Sequence, residues 1–173
     1  MMSSRPIVIA FDVIETLFAL EPLADQLKAV GLPPDSLRVF FTGLLRDAFA
    51  LEASGVYRPF RAIASASLEV MMANAGVTPD QDKLASLLEG FAELPPHPDV
   101  RPAFERVRSA GVRIITLTNG SVENTTRLLS RAGILEFVEK TISIDEVGHW
   151  KPHRDVYLHA AKPWESSLQD SAW

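Results

Sequence analysis

The sequence predicts an α/β fold: a parallel sheet whose first strand is followed by an all-helical insertion before strands resume. Three observations carry that expectation. Ile7-Val8-Ile9-Ala10-Phe11 is a short continuous apolar run that stops at Asp12, and its length and Ile/Val content suit a strand buried on both faces. Apolar residues at three- and four-residue spacing then dominate until Pro95-Pro96-His97-Pro98, where proline prevents any regular element from continuing. Past that point helical and strand patterns alternate, the rhythm of a parallel sheet joined by right-handed crossovers.

Each element has its own signal. Pro22 suits a first helical turn ahead of Leu23, Leu27 and Val30, and Gly31 closes that helix. Leu37, Phe41, Leu44, Leu45 and Ala48 form a second apolar stripe, and Phe60, Ile63, Leu68, Met71 and Met72 a third that ends at Asn74-Ala75-Gly76. Thr78-Pro79-Asp80-Gln81 reads as an N-cap, a first-turn proline and a capping-box partner for a helix carrying Leu84, Leu87, Leu88 and Phe91. Val100, Phe104 and Val107 mark a helix stopped by Gly111. Residues 112–117 form the second strand, leading into Thr118-Asn119-Gly120-Ser121, where Ser121 caps a helix that reaches about Ala132 and Gly133. Residues 140–144 form the third strand. A last helix begins near Pro152, carries Val156, Tyr157 and Ala160, and breaks at Lys162-Pro163.

Composition narrows the function. Of 173 residues, 47% are hydrophobic and 23% charged, which excludes disordered and low-complexity chains. No apolar run reaches the ~18 residues of a membrane span, and Met1-Met2-Ser3-Ser4-Arg5-Pro6 has no signal-peptide hydrophobic region. The absence of cysteine rules out disulfides, thiolate metal sites and a cysteine nucleophile. Seventeen basic residues stand against twenty-two acidic ones, for a formal charge of -5 without a basic run. Nucleic acid and membrane are therefore not expected partners. A cytoplasmic protein acting on a small molecule is the expectation.

Ligands of parallel sheets gather at the carboxyl ends of the strands, so Asp12, Thr118-Asn119 and the segment from Asp145 to Lys151 should converge. An aspartate in that position is ordinarily a turn former. It can instead be a nucleophile in a preorganised site. Thr16 is placed to hydrogen-bond it. Thr118-Asn119-Gly120-Ser121 is an ordinary strand-to-helix turn that can also present donors to an anion. Lys151 is either solvated or aimed into the cleft, where its ammonium stabilises charge during attack.

In order and placement, Asp12-Val13-Ile14-Glu15-Thr16, Leu117-Thr118-Asn119-Gly120-Ser121, and Trp150-Lys151-Pro152 with Tyr157 resemble the first three motifs of the haloacid dehalogenase superfamily, and within it the (S)-2-haloacid dehalogenase branch. The resemblance covers residues 7 to 161. It implies a Rossmann-like catalytic core from 1–16 and 98–173 and a helical cap at 17–97. It implies that Asp12 attacks a halogen-bearing carbon to form an ester that water then hydrolyses. Thr16, Lys151 and Tyr157 would support Asp12. The backbone at Val13 and Ile14, with Thr118 and Asn119, would bind the carboxylate of a short 2-haloalkanoic acid. Neither metal nor organic cofactor is implied. Related phosphatases use an acid where Ile14 stands. Halide, a weak base, needs no proton on leaving, so Ile14 favours dehalogenation over a Mg²⁺-dependent phosphatase.

Three departures qualify the resemblance. Glu15 replaces a glycine, and either repels an anionic substrate or faces solvent. Phe41 occupies the place of an arginine that grips the substrate, and Arg46, roughly 140° further round the helix, is the candidate replacement. After Ala161 the family continues with another strand and a serine/asparagine/aspartate motif, whereas this chain reads Lys162-Pro163-Trp164 through Trp173. The expectation is a C-terminally truncated core. Residues 7–11 would then form an unpaired apolar sheet edge, which invites a homodimer or other association. A remnant acting only through association is accordingly the alternative to an enzyme.

Overall fold

The computed structural model describes residues 7–164. Within them, a three-stranded parallel sheet has the order β1-β2-β3, formed by β1 (Val8–Phe11), β2 (Arg113–Thr118) and β3 (Val138–Ser143). Ile9 pairs with Ile114 and Phe11 with Thr116, while Thr118 pairs with Ser143. That register brings the carboxyl ends of all three strands to one edge. β2, in the centre, buries every residue after Arg113. β1 is only half-buried and Ala10 is exposed, contrary to the expectation of burial on both faces. Among the described residues β1 has one neighbouring strand, β2. The expectations about residues 165–173 lie outside the described residues.

Seven α-helices accompany the sheet among the described residues. Four of them, α1 (Pro22–Ala29), α2 (Ser36–Ala53), α3 (Phe60–Asn74) and α4 (Gln81–Gly90), lie between β1 and β2 in sequence. They pack as a ring of neighbours, α1 against α2 and α4, and α3 against α2 and α4. Leu23, Leu27, Phe40, Leu44, Ala48, Ile63, Leu68, Met72, Leu84 and Leu87 fill their interior. α4 ends so close to α1 that a Cβ on Gly90 would stand 2.7 Å from Leu23 Cδ2, which no side chain tolerates without displacement. The insertion leaves and rejoins the sheet through a narrow neck. Ala19 donates to the Pro95 carbonyl at 3.0 Å and His97 to the Leu17 carbonyl at 2.9 Å, while Phe18 bridges Pro96.

Three sequence readings shift. α4 is capped by Asp80 rather than Thr78: the Asp80 carboxylate accepts from the backbone of Asp82 and Lys83, so the helix begins after it. α7 (Arg154–Ala161) is capped by His153, one residue beyond the proline read as its start. α2 proves two-faced. Phe40, Leu44 and Ala48 are buried, whereas Phe41, Leu45 and Phe49 turn toward the end of the sheet, where they line a cavity. Ser121 caps α6 (Val122–Arg131) as expected, accepting from Asn124 N. Below the sheet, α5 (Val100–Ser109) sends Phe104 between Phe11 and Phe137, with ring centroids at 5.1 and 6.2 Å.

Phe104 is fully buried, so truncation leaves a cavity as well as losing transfer free energy. Phe104→Ala is expected to cost about 3–5 kcal/mol, read as a lowered urea midpoint with an unchanged slope. A loss below ~1 kcal/mol would mean that this part of the core collapses to fill the gap.

Candidate active site

Asp12 directly follows β1 and meets two donors. Thr16 Oγ1 donates to Asp12 Oδ2 at 3.0 Å, and Lys151 Nζ donates to Oδ1 at 2.5 Å. The same ammonium donates to the Leu117 carbonyl at 2.7 Å, which ties the ends of β1 and β2 together. The Lys151 side chain is 13% exposed and that of Asp12 45%. The cation is therefore sheltered while the carboxylate opens onto a cavity. A carboxylate has about four acceptor positions, so two hydrogen bonds leave lone pairs available on the open side.

Lys151 is held from behind. Its backbone N–H donates to Asn119 Oδ1 at 3.1 Å. The preceding residue, Trp150, is fully buried. Its indole donates to the Arg58 carbonyl at 2.8 Å, and its ring stacks on Phe60 at 6.2 Å. The β2 turn is fixed in the same way. Thr118 Oγ1 accepts from Gly120 N at 2.9 Å, and Ser143 Oγ donates to the Gly120 carbonyl at 2.7 Å.

The loop after Asp12 owes its shape to main-chain bonds: Leu17 and Phe18 both donate to the Val13 carbonyl, at 2.8 and 3.1 Å. Glu15 sits at φ 66°, a left-handed conformation that costs a residue bearing a Cβ roughly 1–2 kcal/mol. Its side chain offsets part of that cost, since Oε1 accepts from Leu20 N at 2.7 Å. Glu15 is exposed, yet it lines the same cavity as Asp12. The two sequence readings of this residue, solvent-facing and site-facing, thus both describe it in part.

The cavity has a volume of about 290 Å³. Asp12, Glu15, Thr16, Thr118, Asn119 and Lys151 supply its polar side, and Ile14, Phe41, Leu45, Phe49, Phe60 and Trp150 its apolar wall. A second cavity of about 340 Å³ adjoins it, sharing Glu15 and Phe41 and adding Glu21, Asp35 and Arg38.

Six of the residues singled out in the sequence thus surround one cavity: Asp12, Ile14, Thr16, Thr118, Asn119 and Lys151. Val13, between two lining residues in sequence, is not part of the lining, and its side chain is fully buried in the core. Two further candidates are not brought in. Tyr157 on α7 is 47% exposed and, among the described residues, forms no hydrogen bond with Asp12 or Lys151. The Arg46 side chain is 75% exposed and pairs with Asp47 at 2.7 Å. It lines a separate depression with Gly43 and Asn74. The helical rotation that turns Phe41 into the active cavity turns Arg46 away from it.

A seam of polar contacts that the sequence did not announce joins the α2–α3 connection to the loop before Lys151. Glu52 Oε2 accepts from Trp150 N at 2.8 Å, and its Oε1 shares a hydrogen bond of 2.7 Å with His149 Nδ1. Burial opposes the charge on Glu52, but the Trp150 amide and the His149 ring outweigh it and hold the carboxyl below its ordinary range. Tyr57 donates to Asp145 Oδ1. Burial first, and the Asp145 carboxylate second, push its hydroxyl above the usual phenol range. Glu52 could have been suspected only from its place at the end of an otherwise apolar helical stretch.

An α/β sheet with a helical insertion after its first strand, and an aspartate–lysine pair at the strand ends beneath it, defines the class of α/β proteins whose candidate chemistry centres on a carboxylate. The sequence profile of haloacid dehalogenase-like hydrolases matches residues 8–167, and the chain belongs to that family. It is 25% identical over 151 residues to an (S)-2-haloacid dehalogenase of Xanthobacter autotrophicus, covering 86% of this chain and 59% of that one. It is 23% identical over 159 residues to a glyceraldehyde 3-phosphate phosphatase of Methanopyrus kandleri, covering 89% and 68%. The solved L-2-haloacid dehalogenase of Xanthobacter autotrophicus superimposes with a TM-score of 0.83 at 24% identity, over 91% of this chain and 64% of that one, which shows a shared fold. The chain spans less than two thirds of the length of the dehalogenase from that organism.

Because the Glu52 carboxyl is held below its ordinary value of 4.5 in the fold, its contribution to stability is complete above that value and is lost as the pH falls through the lower folded one. Glu52→Gln keeps an acceptor for Trp150 N but does not titrate. The melting temperatures of wild type and Glu52→Gln should therefore differ at pH 7 and converge below pH 4.5 in a fluorimetric pH series. A constant difference down to pH 3 would remove the titrating seam.

Proposed function

We propose that this chain is a hydrolase in which Asp12 displaces halide from the carbon next to a carboxyl group, with short 2-haloalkanoic acids as the parent substrates. The single observation that supports this most is the geometry of Asp12: one oxygen held by Lys151 at 2.5 Å and the other by Thr16 at 3.0 Å, beside an apolar-walled cavity. In this reading residues 17–97 serve as a cap over a catalytic core formed by 1–16 and 98–173.

An Asp12 oxygen bonds to the halogen-bearing carbon as the carbon–halogen bond breaks, and halide leaves with the electron pair. The product is an aspartyl ester. Water adds to the Asp12 carboxyl carbon, the acyl C–O bond breaks, and the alcohol oxygen keeps a proton from that water. Net, R–X and water give R–OH, halide and one proton, and Asp12 is restored. Lys151 and the main-chain N–H groups after Asp12 stabilise the negative charge that builds on the carboxyl oxygen during ester hydrolysis. Thr118 and Asn119 orient the substrate carboxyl. Ile14 has no proton to offer a leaving alkoxide, which weighs against phosphate ester hydrolysis. Tyr157, absent from the cavity lining and without a hydrogen bond to the pair among the described residues, is left outside the proposed catalytic group.

Asp12→Asn should lower halide release by more than about a thousandfold while the chain still folds, because the amide keeps the shape and loses the nucleophile. Its melting temperature should fall, since the Lys151 ammonium loses its counter-charge. Lys151→Met should lower it by roughly 10²–10³. After many turnovers in ¹⁸O-water, mass spectrometry should find label in the Asp12 carboxyl group. Label confined to the alcohol product would indicate direct attack by water. Halide release that persists in EDTA separates this reading from metal-dependent phosphate release, and no release of either kind would leave association as the function.

A further inference from the structure

Resting on the reading of Asp12 as nucleophile, but replacing the parent acid by its neutral derivative as the preferred substrate, we propose that the electrophile this site prefers is uncharged: a 2-halo carbonyl compound such as a carboxamide, rather than the free carboxylate. The juxtaposition that carries it is one already engaged ammonium, two carboxylates and an unpartnered amide N–H₂ around a cavity walled by aromatic rings.

Charge is the first consideration. Asp12 and Glu15 both line the cavity, and among the described residues Lys151 is its only cation. Two of the three protons of that ammonium are already directed to Asp12 and to the Leu117 carbonyl. Before any substrate enters, the site carries one more negative charge than positive. The adjoining cavity adds Glu21 and Asp35 against Arg38, and another that shares Ile14, Phe60 and Thr118 adds Arg61 against Asp145, so neither neighbouring space brings a net positive charge. A carboxylate would enter against that field and lose water on apolar walls without gaining a cation in return. Arg46, further along α2, is paired with Asp47 on the surface.

Hydrogen bonding points the same way. Asn119 Oδ1 is held by the Lys151 N–H at 3.1 Å, which fixes which end of the amide is which. Its Nδ2 has no hydrogen-bond partner among the described residues, and Asn119 lines the cavity. A fixed amide N–H suits one carbonyl oxygen. An uncharged carbonyl exchanges a water for that donor without the cost of burying an ion, and it activates the adjacent carbon–halogen bond as a carboxyl group does. The hydrocarbon part meets Phe41, Leu45 and Phe60. The bonds made and broken are those already given, with the hydroxy amide as product.

The test compares kcat/KM for 2-chloropropanamide and 2-chloropropanoate at pH 7.5 from released chloride. A preference of about tenfold or more for the amide is expected, equivalent to ~1.4 kcal/mol. Glu15→Gln, which retains an oxygen for Leu20 N, should narrow the gap by raising turnover of the acid. Equal or better use of the acid, or a gap indifferent to Glu15→Gln, would overturn the proposal. Saturation-transfer NMR with the unreactive products lactamide and lactate separates the two layers of the reading. Without chloride from either substrate the nucleophile assignment fails. The charge preference then stands on lactamide binding where lactate does not, and falls if lactate binds as well.

Discussion

The Lys151 ammonium is the point on which the rest of this molecule depends. A sheltered cation must be satisfied by acceptors in fixed positions, and here those acceptors are the carboxylate after β1 and the Leu117 carbonyl near the end of β2. Neither can move without leaving the ammonium short of an acceptor. The cost of orphaning a sheltered charge is several times the worth of an exposed ion pair, so the pair contributes alignment more than net stability. It holds the Asp12 carboxylate still relative to the sheet.

Lys151 owes its own placement to the residue before it. Trp150 is locked at three points: its amide by Glu52, its indole by the Arg58 carbonyl and its ring face by Phe60. All three partners belong to the helical insertion. The lysine is thus anchored to the sheet by its ammonium and to the insertion through its neighbour. A change in the packing of α2 on α3 reaches Asp12 through a single peptide unit.

Much of this was legible in the sequence, for physical reasons that can be named. Strands such as residues 112–117 show themselves because a buried central strand draws on β-branched and apolar residues, here Val112, Ile114, Ile115, Thr116 and Leu117, and Ser121 announces α6 because a hydroxyl before an amphipathic stretch has few other uses. Residues at strand ends converge by topology alone, which is why Asp12, Thr118, Asn119 and Lys151 could be grouped in advance. The failures have equally definite causes. Periodicity on α2 cannot tell a core face from a cavity face, so Phe41 and Leu45 were counted with Leu44. The role of Arg46 hinged on rotation about the helix axis, and spacing does not settle which face meets a distant sheet. Glu52, Tyr57 and Asp145 pair across 88 residues or more, and nothing local to any of them encodes its partner. Edge exposure of β1 likewise depends on neighbours, not on its own composition.

The neck at Phe18 and Pro96 has a consequence for how such a molecule can diversify. Two main-chain hydrogen bonds, Ala19 to Pro95 and His97 to Leu17, bring the two ends of the insertion to within one bond's reach of each other. From the standpoint of the sheet, everything between them is a closed loop of negligible span, and closure entropy grows only with the logarithm of loop length. Helices could be lengthened, exchanged or added beyond that clasp at little cost to strand pairing. The sheet that fixes the Asp12 carboxylate and the helices that wall the cavity beside it are therefore free to vary at different rates, as two inheritances carried on one thread.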